Sequence, residues 1–198
     1  MATGELVSME ALARWQKSDG TFVSPEEFIP LFESSGFITR FDMYIWKSVC
    51  KTLAAWQDKG CKLVPISINV SMIDITNIDV PQYLSMLTEQ YHISPEYLPV
   101  EITESVFAES NTIVKNTITR FHKKGFYVLM DDFGSGYSSL NVLKDANVDY
   151  LKLDMKFMQI DAKNKGKGIQ ILKSMNCNYG QGFYFHRPMS VEAAEELI

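Results

Sequence analysis

Short apolar runs rich in β-branched and aromatic residues recur along this chain, and segments with helical periodicity lie between them. Apolar runs of this length, bounded by turn residues, are typical of buried strands. They predict six strands, at 7–15, 63–71, 98–104, 126–130, 150–154 and 179–185. Strands that alternate with helices predict an α/β fold with a mainly parallel sheet or a barrel.

The intervening segments carry apolar residues at helical spacing and have clear end signals. Ser24-Pro25-Glu26-Glu27 combines an N-cap serine, a proline at the first helical position and acidic residues in the first turn. Gly60 and Gly125 follow two of the segments and predict their ends. The predicted helices are 24–34, 40–58, 81–91, 111–124, 138–144, 169–175 and 190–198.

The first predicted strand carries charged side chains on one face. The polar positions 8, 10 and 14 share a face under a period of two, which would turn Glu10 and Arg14 inward. A charged pair that faces a core needs partners, because burying an unpaired charge is costly.

Polar side chains recur at the ends of the predicted strands. Asn69, Glu101 and Asp131 follow one another at steps of about 30 residues, and Lys152 and Gln181 are also about 30 residues apart, which is the length of one βα unit. Every unit would then present one polar side chain at the same level, as at the mouth of a barrel. An open sheet would gather its site at a single switch point instead.

The stretch from 126 to 137 is the most distinctive of these strand ends. An apolar run leads into Asp131 and Asp132, and a loop with Gly134 and Gly136 follows. Taken alone, adjacent acids before glycines are more often a turn than a site. The matching positions on the other strands favour a site.

The combined set has the chemistry of a metal centre. Several carboxylates cannot converge without a cation, because repulsion and desolvation would keep some of them protonated. Carboxylate and amide oxygens suit Mg²⁺ or Mn²⁺, and two adjacent aspartates could serve a two-metal site. With Lys152 to polarise the attacking hydroxide and Arg14 to engage a phosphate, the pattern predicts metal-dependent hydrolysis of a phosphodiester.

Composition narrows the functional classes further. A net charge of -5 and a pI near 5.2 argue against nucleic acid as the main partner. No apolar run is long enough for a membrane span and no signal segment opens the chain, so we expect a cytoplasmic setting. The three cysteines contain no C-x-x-C pair and predict buried thiols in a reducing compartment.

The motifs in order resemble one family. MEALARW around Glu10, SINVS around Asn69, EITES from Glu101, DDFGSGYSSL from Asp131, LKLD around Lys152 and GQGF around Gln181 are together similar to the EAL domain. The resemblance spans nearly the whole chain and treats 1–198 as one domain. It implies a (β/α)₈ TIM-like barrel that hydrolyses the cyclic dinucleotide c-di-GMP to linear pGpG in bacterial second-messenger signalling.

The resemblance also implies roles for individual residues. Glu10, Asn69, Glu101 and Asp131 would bind one Mg²⁺ or Mn²⁺, and Asp131 and Asp132 a second. Lys152 would lie beside the nucleophilic water and Gln181 near the reacting centre. Leu12 and Arg14 would contact the substrate. Glu104 would anchor the glycine loop after Asp132, a loop that the family uses in dimerisation and regulation. The implied partners are a second copy in a homodimer and a GGDEF or sensor domain, fused or separate.

Two departures from the family pattern leave the barrel incomplete as written. The strand that precedes Gly4-Glu5 in the family is missing. Between Lys152 and Gln181 there is room for one βα unit only, so the unit that carries a Glu-Gly-Val-Glu motif is absent. Its glutamate would help to hold the second metal. The alternative to an active enzyme is therefore a degenerate EAL domain that binds c-di-GMP or a protein partner without turnover.

Overall fold

The fold is built on a parallel sheet, seen in a computed structural model that describes residues 5–109, 111–134, 147–153, 181 and 186–198. In chain order the strands are β1 (Met9–Glu10), β2 (Trp15–Gln16), β3 (Phe22–Val23), β4 (Ile66–Asn69), β5 (Val100–Thr103), β6 (Val128–Phe133) and β7 (Tyr150–Leu153). Five of them form one sheet in the order β1-β4-β5-β6-β7, and every neighbouring pair is parallel. The predicted α/β architecture is confirmed.

The first predicted strand is largely wrong. Only Met9–Glu10 pairs with the sheet, through β4, and Trp15–Gln16 forms a separate antiparallel hairpin with Phe22–Val23. The Asp19-Gly20 turn between the two hairpin strands has Gly20 at a φ of 86°, a conformation that favours glycine. The chain thus leaves the sheet immediately after Glu10, and Arg14 is exposed instead of inward.

Seven α-helices cover the sheet in the described part of the chain. They are α1 (Pro25–Ser34), α2 (Ile38–Asp58), α3 (Met72–Asn77), α4 (Val80–Tyr91), α5 (Glu104–Glu109), α6 (Asn111–Lys123) and α7 (Val191–Glu195). Helices α1, α2, α4, α6 and α7 match predicted ones to within a few residues. The predicted helices 138–144 and 169–175 lie outside the described residues, as does the strand 179–185 apart from Gln181.

Two short helices directly after strands were not predicted. Ser71 caps α3 in a capping box with Asp74, so a helix begins directly after the last residue of the predicted strand 63–71. Glu104 likewise begins α5 as soon as β5 ends. Both helices therefore start at the carboxyl edge of the sheet, where the polar residues gather.

The core lies between the sheet and the inner faces of the helices. Helix α2 contributes its apolar stripe, including Trp46, Cys50, Leu53 and Trp56, against the buried faces of β4 and α4. Burial raises the pKa of the Cys50 thiol to about 12, in keeping with the predicted structural thiol. Within the described ranges, no helix is both long and apolar enough to cross a lipid bilayer.

The start of β7 is fastened to β6 and α6 by one carboxylate. Asp149 Oδ2 accepts a hydrogen bond of 2.7 Å from the buried Val128 amide and lies 3.0 Å from His122 Nε2. The Asp149 amide in turn donates to the Val128 carbonyl. These contacts fix where β7 begins and so fix the height of Lys152 on the sheet.

We predict that Asp149→Ala destabilises the protein by about 1–3 kcal/mol, because the Val128 amide would be left buried without an acceptor. Urea unfolding should show this loss. Asp149→Asn keeps an acceptor oxygen and is the matched control, which should lose clearly less. Equal losses in the two variants would contradict the assigned role of the Val128 hydrogen bond.

Candidate metal and phosphodiester site

Lys152 lies among three carboxylates at the carboxyl edge of the sheet. Its ammonium Nζ is 2.7 Å from Glu101 Oε2, 2.9 Å from Glu10 Oε2 and 3.5 Å from Asp131 Oδ1. These side chains come from β7, β5, β1 and β6, so four strands converge on one point. The parallel order of the sheet produces this convergence, because the carboxyl ends of parallel strands share an edge.

The acidic side chains around Lys152 form a compact oxygen cluster. Glu10, Glu101 and Asp131 each offer one carboxylate oxygen, and these oxygens all lie within 4.8 Å of one another. Burial raises the pKa of Glu101, an effect that the Lys152 ammonium opposes. Burial alone would lower the pKa of Lys152, but the Glu101 and Glu10 carboxylates more than compensate and raise it. Lys152 therefore keeps its positive charge among these carboxylates.

Gln181 reaches the same cluster from the far end of the chain. Its Nε2 donates a hydrogen bond to Glu10 Oε2. Glu10 lies on β1, at the opposite edge of the described sheet from β7. Residue 181 thus lies beside the first strand, as the closing of a barrel requires.

Asn69 ends β4 beside Glu101, with which it is in register. Its side chain is exposed at the strand end, and its backbone carbonyl accepts a 3.0 Å hydrogen bond from the indole Nε1 of Trp46 on α2. Trp46 was not predicted as a site residue. It fixes the backbone of a predicted ligand, a role that no local sequence signal reveals.

The two adjacent aspartates differ in their surroundings. Asp131 belongs to the oxygen cluster, whereas Asp132 is exposed and lies outside it. Asp132 has a φ of 56°, and the pairing of β6 with β7 is irregular between Met130 and Phe133. Its amide donates to Asp131 Oδ1. In a regular strand, neighbouring side chains point to opposite faces of the sheet. The left-handed backbone of Asp132 interrupts this alternation, so the rule does not apply to Asp131 and Asp132.

Glu104 connects α5 to the loop after β6. Its side chain is buried, and its Oε2 accepts a 2.9 Å hydrogen bond from the Gly134 amide. Gly134 has a φ of 91° and is the last described residue before the loop. The contact is compatible with the predicted anchoring of the glycine loop.

The two predicted substrate-binding residues lie on the segment that follows β1. Leu12 and Arg14 are both exposed, and Arg14 Nη1 donates to the neighbouring Ala13 carbonyl. The structure does not bring either side chain into the carboxylate cluster. A ligand in the cluster would contact Leu12 and Arg14 only if it extended towards the segment that follows β1.

The donor set fits a hard divalent cation. Three carboxylate oxygens lie close enough to share one ion, and the Asn69 amide stands in register with Glu101 beside them. All of these donors are oxygens, which Mg²⁺ and Mn²⁺ prefer. The residues therefore fit such an ion at this edge of the sheet.

Comparison with known families agrees with the motifs. The EAL domain family profile matches residues 1–173. The chain belongs to the EAL domain family. The match covers β1 to β7 and therefore every member of the carboxylate and lysine cluster.

Curated relatives of this EAL domain include proteins from several bacteria. It is 31% identical over 215 residues to "Probable cyclic di-GMP phosphodiesterase PdeB" of Escherichia coli, covering 97% of this chain and 41% of that protein. It is 28% identical over 225 residues to "Cyclic di-GMP phosphodiesterase PA2567" of Pseudomonas aeruginosa, covering 100% of this chain and 38% of that protein. The chain thus spans less than half the length of these relatives.

Solved structures show the same fold. "PaMucR Phosphodiesterase, c-di-GMP complex" superposes with a TM-score of 0.83 at 24% identity, covering 96% of this chain and 87% of that one. The EAL domain of Mycobacterium smegmatis DcpA superposes with a TM-score of 0.74 at 23% identity, covering 100% of this chain and 92% of that one. The TIM-like EAL fold predicted from the sequence is confirmed, with the described sheet forming part of the barrel.

We predict that Lys152→Met destabilises the metal-free domain by about 3–5 kcal/mol, because it leaves the buried Glu101 without its cation. Added Mg²⁺ or Mn²⁺ should then raise the melting temperature more in the variant than in the wild type, since the ion replaces the lost charge. Thermal unfolding in EDTA and in excess metal measures both effects. Lys17→Met, at an exposed lysine of the hairpin turn, is the control. An equal metal response in all three proteins would contradict this prediction.

We predict that Glu104→Ala speeds hydrogen exchange at the Gly134 amide by at least about tenfold, because that amide loses its acceptor. Exchange measured by mass spectrometry or NMR tests this without any ligand. Glu104→Gln retains an acceptor oxygen and should exchange more slowly than Glu104→Ala. Unchanged exchange in Glu104→Ala would show that the Gly134 contact does not hold the loop.

Proposed function

We propose that this EAL domain hydrolyses c-di-GMP to linear pGpG in a reaction that depends on a divalent metal ion. The carboxylate cluster of Glu10, Glu101 and Asp131 around Lys152 is the observation that carries the proposal. Membership of the EAL family and relatives that are named cyclic di-GMP phosphodiesterases support it.

The ligand set is proposed from the same geometry. Glu10, Asn69, Glu101 and Asp131 would hold one Mg²⁺ or Mn²⁺, and Asp132 with Asp131 would hold a second. When bound, such ions supply Lewis-acid polarisation of the phosphoryl oxygens and a nucleophile at neutral pH. The close spacing of the cluster oxygens supports the first position. Asp132 lies outside the cluster, so the second position has weaker support.

The remaining site residues would bind and orient the phosphodiester. Lys152 carries its charge into the cluster and would hold the attacking water or a phosphate oxygen there. Gln181, which donates to Glu10, would orient the group beside it. Arg14 would bind a substrate phosphate, since its guanidinium can engage two oxygens, and Leu12 would pack against the ligand.

The second candidate is binding without turnover, and a specific observation favours it. The alignment with PA2567 extends over 225 positions, 27 more than the 198 residues of this chain. In total, these additional positions come close to the length of one βα unit of about 30 residues. If the missing unit supplies a ligand of the second metal, this domain would bind c-di-GMP or a protein partner without hydrolysing it.

The setting of the domain is also proposed from its relatives. The chain spans 41%, 28% and 27% of PdeB, YkoW and the oxygen sensor protein DosP, so these proteins have additional segments. We propose that this domain works in the cytoplasm, pairs as a homodimer and responds to a fused or separate GGDEF or sensor domain. Nucleic acid is not an expected partner, because the net charge is -5.

A turnover assay separates the two candidates. We predict that the chain converts c-di-GMP to pGpG with Mg²⁺ or Mn²⁺ and that Glu10→Gln lowers kcat/KM by roughly 10³-fold, because a group that touches the reacting centre is lost. Glu27→Gln, an exposed glutamate on α1, is the matched control and should keep full activity. Liquid chromatography of the nucleotide products gives the measurement.

The binding-only function would give a different result. Calorimetry would then show c-di-GMP binding, and no linear product would accumulate with either metal. That outcome would overturn the enzymatic proposal. Equal activity of Glu10→Gln and wild type would instead overturn the assignment of the site.

A further inference from the structure

Two acidic side chains, Asp42 on α2 and Asp74 on α3, lie close to each other. Asp74 is fully buried, and its Oδ2 accepts hydrogen bonds from the Ser71 amide at 2.9 Å and the Ser71 hydroxyl at 2.7 Å. Its other oxygen, Oδ1, receives no hydrogen bond from the described residues. A buried carboxylate oxygen without a donor is costly, so Oδ1 needs a partner of its own.

Asp42 on α2 is positioned to be that partner. It is half-buried, and its carboxyl group is in hydrogen-bonding contact with that of Asp74. Burial first, then the negative charges of Asp74 and Glu33, raise the pKa of Asp42 to about 8. A protonated Asp42 has one O–H to donate, which is the donor that Asp74 Oδ1 lacks.

A shared proton explains this contact better than a bound cation does. Among the described residues, the acidic group that could hold a metal is the cluster at Glu10, Glu101 and Asp131, and neither Asp42 nor Asp74 belongs to it. Two carboxyl groups in contact cannot both ionise without a large cost, so one proton stays between them.

The pair stands next to the turn that follows β4. Ser71, which Asp74 holds through both its amide and its hydroxyl, is two residues after Asn69. On the other side, Trp46 lies one helical turn after Asp42 on α2 and donates to the Asn69 carbonyl. Helices α2 and α3 therefore hydrogen-bond to the backbone on both sides of Val70. The contact between Asp42 and Asp74 connects these two helices. A second bond, from Asn77 to Thr39, connects the same helices.

We propose that Asp42 and Asp74 share one proton and that this bridged pair is a positioning device, which holds the turn after β4 and with it the Asn69 ligand. Loss of the proton would place two negative charges in contact and push α3 away from α2. The consequence for Asn69 rests on the metal-dependent function proposed above, whereas the proton bridge itself does not.

The charged surroundings favour the proton-bridged form. Both charges acting on Asp42, from Asp74 on α3 and Glu33 on α1, are negative. Strand β4 carries no titratable side chain, and the α4 carboxylate Glu89 accepts a hydrogen bond from Ser85 of its own helix. Deprotonation would therefore gain little compensation from these neighbours.

The direction of the pH effect follows from linkage. Folded Asp42 keeps its proton up to about pH 8, whereas an aspartate in the unfolded chain releases it at about pH 4. The folded state binds more protons in that window, so the wild type loses stability as pH rises. Asp42→Asn keeps an N–H donor for Asp74 and cannot titrate, so the loss should be absent there.

The test is urea unfolding of the full chain and of Asp42→Asn between about pH 5 and 9. We expect the unfolding equilibrium constant of the wild type, divided by that of the variant, to rise about tenfold per pH unit up to about pH 7 and to level off above about pH 8. Asp58→Asn, at an exposed acid on the same helix, is the matched control and should give a constant ratio. A constant ratio for Asp42→Asn as well would overturn the proton bridge.

Two further readouts cover the remaining outcomes. The infrared spectrum of the wild type at about pH 6 should show the band of a protonated carboxyl group, and the spectrum of Asp42→Asn should lack it. The band in the wild type supports the proton bridge even if the variant folds poorly. Its absence from the wild type would overturn the proton bridge. Mn²⁺ affinity can be measured by electron paramagnetic resonance at about pH 6 and at about pH 8.5. The affinity of the wild type, divided by that of Asp42→Asn, should fall severalfold from the lower to the higher pH. An unchanged ratio would overturn the positioning role. If neither protein binds Mn²⁺ at any pH, the proposed function fails, while the unfolding ratio still decides the bridge.

Discussion

Charge balance at the carboxyl edge of the sheet is the constraint on which this domain depends. Three strands bring Glu10, Glu101 and Asp131 to one place, and Glu101 is almost fully buried there. Without a cation, these side chains would repel one another and resist the closing of the sheet. Lys152 supplies that cation from the neighbouring strand. The same acidic cluster that Lys152 stabilises in the fold has more carboxylates than ammonium groups, so it also suits a divalent cation.

This arrangement explains why the convergence of these strand-end side chains could be predicted from the sequence. The period of a βα unit is a local property, and it sets every strand end at the same edge once the sheet is parallel. Asn69, Glu101, Asp131 and Lys152 fall at those ends, so their convergence follows from spacing. Asp132 is different. Its left-handed backbone and the irregular pairing of β6 with β7 depend on contacts between strands, which the spacing of residues in the sequence does not predict.

The errors have physical causes of the same kind. The stretch 7–15 alternates like a strand, yet only Met9–Glu10 pairs with β4, because the chain leaves the sheet to form the Trp15–Gln16 hairpin strand. The capping box of Ser71 and Asp74 ends β4 early, although the apolar pattern continues. Asp42 resembles any acidic residue on a helix surface. Only the packing of α2 on α3 turns it into the partner of a buried carboxylate.

Glu10 has a particular position in the assembly of the molecule. It receives hydrogen bonds from Lys152 and Gln181, which follow it in the chain by 142 and 171 residues. Contacts between such distant residues carry a large loop-closure cost and form late in folding. A chain still emerging from the ribosome, or one cut before Lys152, would hold Glu10 without either partner. Ligand binding at this site therefore requires that Glu10 has formed its contacts with Lys152 and Gln181. Binding can serve as a measure of whether these distant parts of the domain have come together.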